Sequence, residues 1–168
     1  MRHRPWLALA LLCLALQALA ASPPTVLRLP GSPDRPVPPE SLLGAGRSDV
    51  RLEDAQGNVT VYHGLPLLEV LEKNAVDTRS MPSQRKLAPS VVMATARDGY
   101  TVVFSVGELL MHRADPRVFL VAETAAGPLP ENEAPVRLIV YGDRARSPYG
   151  LARIELKALA DNTPARKP

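Results

Sequence analysis

Residues 96–110 read ARDGYTVVFSVGELL, a turn signal, an apolar run and a helix-start signal in succession. No other stretch of the chain limits its fold as tightly. Asp98-Gly99 is a hairpin signal, because a two-residue type I′ turn needs positive φ at both central positions. Val91, Val92 and Met93 lead into it, and Val102, Val103 and Phe104 lead out. A two-residue turn predicts that Arg97 pairs with Tyr100, Thr95 with Val102 and Met93 with Phe104. Val91, Met93, Thr95, Arg97, Tyr100, Val102 and Phe104 then share one face. Val92, Ala94, Ala96, Thr101 and Val103 share the other. Both faces are largely apolar, which predicts strands covered on both sides. Arg97 falls beside Tyr100 at the hairpin end, where a cation can lie over the ring. Ser105-Val106-Gly107-Glu108 reads as a capping box and predicts a short helix through Leu109 and Leu110.

The chain has 168 residues, room for one domain. Its start reads as a secretory signal over 1–20: a basic Arg2-His3-Arg4, an apolar run from Leu7 to Leu16, and the small-x-small pattern Ala18-Leu19-Ala20. That run is short for a membrane helix. Cleavage near Ala20 removes the sole cysteine, Cys13, and the sole tryptophan, Trp6. It also removes Arg2 and Arg4 and no acid, taking the formal charge from +3 to +1. The mature chain therefore has no thiol or disulfide, and no charge that argues for nucleic acid. The expected destination is the periplasm or the exterior.

Residues 21–40 contain seven prolines and read as an extended leader, with Val26 to Leu29 adding an edge strand. The domain is expected over 41–160 and a disordered tail over 161–168. Glu40 to Leu43 suggests one helical turn. Residues 50–62 alternate as a second hairpin about Gln56-Gly57-Asn58. His63-Gly64 is expected to end its second strand, and Leu65 to Ala75 to form a helix with Pro66 near its start. Residues 77–87 read as a polar loop. Strands follow at 117–123 and 136–141, a charged loop at 142–150, and a strand with one wet face at 152–159. The predicted class is α+β, a mixed β-sheet domain with hairpins and a few short helices.

Several pieces occur in order: Tyr62-His63-Gly64-Leu65-Pro66-Leu67, then Ala96-Arg97-Asp98-Gly99-Tyr100 with Phe104-Ser105 and Glu108-Leu109, then Leu120-Val121-Ala122. Gly127-Pro128-Leu129, Pro135 to Val140 and Gly142-Asp143 complete the set. This order resembles the oxidoreductase molybdopterin-binding domain, the sulfite-oxidase-type fold, in a short stand-alone secreted version. The resemblance covers roughly 41–159. It implies a pterin held by backbone and basic side chains in the catalytic members.

Two departures argue against catalysis. The catalytic members hold molybdenum through a protein cysteine, and soft thiolate ligation needs a Cys that the mature chain lacks. Proteins exported with this cofactor carry a twin-arginine signal, whereas here His3 splits Arg2 from Arg4. The mature histidines, His63 and His112, have no partner at metal-ligand spacing. No catalytic residue and no metal site is expected. The expected activity is a non-catalytic binding module for a small anionic ligand, or for a periplasmic or membrane redox or signalling partner, with the membrane reached only through that partner. The other reading is a molybdopterin-dependent oxidoreductase or a subunit of one. The candidate ligand-binding residues are Arg97, Tyr100, Arg137, Arg144 and Arg146, since guanidinium forks suit carboxylate and phosphate.

Overall fold

The computed structural model describes residues 23–158, and the expected signal and tail lie outside them. Among these residues, ten strands and three short helices form a mixed α+β domain with two sheets. The strands are β1 (Thr25–Arg28), β2 (Arg35–Val37), β3 (Ser48–Glu53), β4 (Val59–Pro66), β5 (Val91–Ala96), β6 (Thr101–Ser105), β7 (Val118–Thr124), β8 (Gly127–Pro128), β9 (Arg137–Val140) and β10 (Leu151–Lys157). The helices are α1 (Leu67–Lys73), α2 (Met81–Leu87) and α3 (Val106–Met111), and a 3-10 turn covers Pro39–Leu42. The first sheet runs β2-β1-β10-β5-β6. The second runs β3-β4-β7-β8, with β9 also paired to β7.

One apolar core joins the sheets. Leu27, Val92, Phe104 and Ile154 from the first meet Leu65, Leu120 and Leu138 from the second, with Leu71 and Leu109 from the helices. A smaller cluster of Val50, Tyr62, Phe119, Val121 and Ile139 covers the opposite face of the second sheet. Strand β7 is buried on both faces, which accounts for its continuous apolar run: Val118 and Leu120 serve one cluster, Phe119 and Val121 the other.

The central hairpin forms, but one residue out of the expected register. Val92 faces Phe104, Ala94 faces Val102 and Thr95 faces Thr101. The loop is three residues long. The Gly99 N–H donates to Ala96 O at 3.1 Å, and the Ala96 N–H donates to Tyr100 O at 2.8 Å. Gly99 alone takes positive φ there, +87°. This is a type I turn closed by a left-handed glycine, which Asp-Gly suits as well as it suits type I′. The hairpin at Asp54 to Asn58 repeats the pattern around Gly57.

The shifted register sorts the residues differently. Val92, Ala94, Ala96, Val102 and Phe104 are buried together, while Thr101, Val103 and Ser105 face water. Strand β6 is an edge strand with one wet face, not a central strand covered on both sides.

Three further expectations change. Strand β1 lies inside the sheet, parallel to β10, and the edge is β2, where Pro36 suits an unpaired side. Strand β4 continues through His63-Gly64 to Pro66, so α1 begins at Leu67. A register shift falls between His63 and Gly64, and Gly64 packs directly on β7. A Cβ there would lie 1.9 Å from Leu120 O. Finally, 81–87 is a helix rather than loop, capped by Ser80, whose hydroxyl accepts from the Ser83 N–H.

Candidate functional site

A pocket of about 330 Å³ opens where α1, the segment after α3, and the start of the 142–150 loop converge on the ends of β7 and β9. Its inner wall is apolar. Leu68, Leu109, Val118 and Val140 line it and belong to the main core. Its mouth is charged, with Arg79, Arg113, Arg117 and Arg146 beside Glu69, Glu72 and Glu108. Four guanidiniums against three carboxylates leave one positive charge in excess, before any charge on His112, which also lines the mouth.

Most of these charges are committed to one another. Glu72 accepts from Arg79 Nη2 at 2.8 Å, from Arg113 Nη1 at 2.5 Å and from the Thr78 hydroxyl. Burial by itself pushes the Glu72 carboxyl up. The hydrogen bonds from Thr78, Arg113 and Arg79 outweigh it and hold the group at about 2. Arg113 Nη2 also donates to Thr78 O at 2.5 Å, so α1, the 77–80 segment and the residues after α3 are tied together. Beside this knot, hydroxyl donation from Ser80 and then Ser83 holds the Asp77 carboxyl well below the usual range. Glu69 pairs with Lys73 at 3.6 Å. Arg146 pairs with Asp143 at 2.8 Å and Glu108 at 3.3 Å, and lies 5.2 Å from the Phe104 ring centre. Its pairing with Asp143 raises its pKa.

Arg117 differs. It is exposed at the pocket mouth, and among the described residues its side chain makes no ion pair or hydrogen bond. It is the pocket's uncompensated cation among those residues, and sequence reasoning missed it. The one local signal was an arginine directly before a continuous apolar strand, which puts a charged head next to a buried wall.

Of the five candidate residues, Arg146 alone lines this pocket. Arg97 stands at the hairpin tip, where its Nη2 donates to Pro23 O at 3.3 Å and its backbone N–H to Gly150 O at 3.0 Å. The half-exposed Tyr100 donates from its hydroxyl to Ala145 O at 2.7 Å. Arg144 Nη2 donates to Glu53 O at 2.9 Å. Tyr100, Arg144 and Arg146 thus converge on one loop and fasten it to both hairpins. Arg137 is 4% exposed and points inward. It donates to Glu133 at 3.0 Å and to the Tyr62 hydroxyl at 2.6 Å, between the rings of Tyr62 and Tyr149.

Among the described residues, no group of three or more His, Cys, Asp or Glu side chains could hold a metal ion. Nor is any described helix long and apolar enough to cross a membrane. No family model matches the chain, and no curated protein matches it.

Proposed function

We propose that the chain is an exported, non-catalytic binding module on a sulfite-oxidase-type fold, and that it captures a small anion in the pocket between α1, α3 and β9. Its ordered motifs support the fold-family reading, as do its two sheets bridged by short helices. The donor set does not fit the molybdenum of that family's catalytic members. Residues 23–158 contain no cysteine, so no thiolate is at hand for the metal. The observation that carries the binding reading is Arg117, an uncompensated guanidinium at the mouth of a pocket whose other charges are matched.

The test is thermal stabilisation of the mature chain by acetate, phosphate and sulfate, compared with Arg117→Ala and Arg144→Ala. A specific anion should raise Tm in proportion to the logarithm of its concentration once that exceeds Kd. Arg117→Ala should weaken that effect at least tenfold, and Arg144→Ala should leave it intact. No stabilisation by any of these anions, or the same rise in wild type and Arg117→Ala, would refute the reading.

A further inference from the structure

We infer that the pocket's ligand is an organic monoanion with an apolar body, of the class of a short alkanoate, rather than an inorganic anion or a dianion. The inference rests on the anion-binding reading above and adds the shape of the ligand. The pocket's lining combines buried aliphatic side chains with charged ones. Leu68, Leu109, Val118 and Val140 form the inner wall, each 4–6% exposed and each part of the main core. The uncompensated Arg117 sits at the exposed mouth.

An inorganic anion held by Arg117 would leave the aliphatic part of the lining without a partner. A ligand with one charged end and an apolar body satisfies both parts, since removing apolar surface from water drives binding in proportion to its area. The charge count selects one negative charge. The mouth carries one positive charge in excess of its carboxylates. A second carboxylate at the far end of the ligand would lie against the aliphatic wall with no partner, which is strongly unfavourable. A guanidinium at the mouth suits a carboxylate, which it can grip with two parallel hydrogen bonds.

The experiment is calorimetric titration of the mature chain with acetate, butyrate and hexanoate, and with phosphate, hexanol and adipate. Affinity should rise about fourfold per methylene from acetate to hexanoate. Hexanol and adipate should each bind at least tenfold more weakly than hexanoate. Arg117→Ala, a change at an exposed position that leaves the fold intact, should bring hexanoate down to the level of hexanol. If anions bind through Arg117 with no dependence on chain length, or adipate equals hexanoate, the amphipathic ligand is excluded while anion capture stands. If no anion binds at all, both readings fall.

Discussion

Glu72 and Arg113 meet at 2.5 Å and join α1 to the segment that follows α3. Arg79 grips the other oxygen of the same carboxylate at 2.8 Å. The contact closes one side of the pocket mouth and makes the site depend on a partly buried charge. Its effect on stability has a definite sign with pH. The Glu72 carboxyl is held at about 2 in the folded chain against an ordinary 4.5. Below about pH 4.5 the unfolded chain therefore binds more protons than the native one. The stabilisation is full above that pH and is lost as the pH falls toward about 2. Glu72→Gln should lower stability at neutral pH by about 1–3 kcal/mol and flatten the acid limb. Urea unfolding between pH 3 and 7 measures both. An acid limb unchanged by the substitution would contradict the assignment.

The second ion pair is of another kind. Glu133 and Arg137 lie 3.0 Å apart with side-chain exposures of 11% and 5%. Removing only the arginine strands a buried carboxylate, so Arg137→Ala should cost about 3–5 kcal/mol in unfolding free energy. Arg137→Met with Glu133→Gln removes both charges and should recover much of that loss. A double-mutant cycle by denaturant unfolding gives the coupling. Hexanoate affinity in the double variant should match wild type, since neither residue lines the pocket. A stable Arg137→Ala chain with lost binding would instead make Arg137 a ligand contact.

The elements were largely legible in the sequence, and their junctions were not. Apolar alternation around two glycine turns predicts both hairpins. Asp98-Gly99, however, serves a two-residue loop and a three-residue loop equally, and the two differ by one residue in register. That single step turns Val103 outward and Val102 inward. Helix α2 escaped because it buries no residue fully and so has no apolar stripe to read. Its signals were Ser80 at the cap and Pro82 in the first turn. The pocket escaped for a topological reason. Its walls come from 66–72, Arg79, 108–118 and 140–146, four stretches that only the folded chain brings together. Arg137 read as a ligand-binding candidate because nothing local shows that Glu133 and Tyr62 close over it.

Gly64 marks the tightest approach between strands among the described glycines. A Cβ at this position would sit 1.9 Å from Leu120 O and 2.6 Å from Val121 Cα, both backbone atoms that cannot step aside. Gly64→Ala must push β4 off β7 and open the core along Leu65 and Leu120. The expected loss is more than about 4 kcal/mol, in the range reserved for core disruption. Thermal unfolding of the soluble fraction measures it. A melting temperature within two degrees of wild type, by order of magnitude under 1 kcal/mol, would contradict this packing.

The most direct test of the binding site is an NMR titration of the isotopically labelled chain with hexanoate, following backbone amides. The account predicts saturable shifts at Leu68, Leu109, Arg117, Val118 and Val140, with those at Arg97 and Asp98 unmoved. Shifts confined to the hairpin tip at 97–100 and the 142–150 loop, with the pocket amides silent, would contradict it and return the site to the loop.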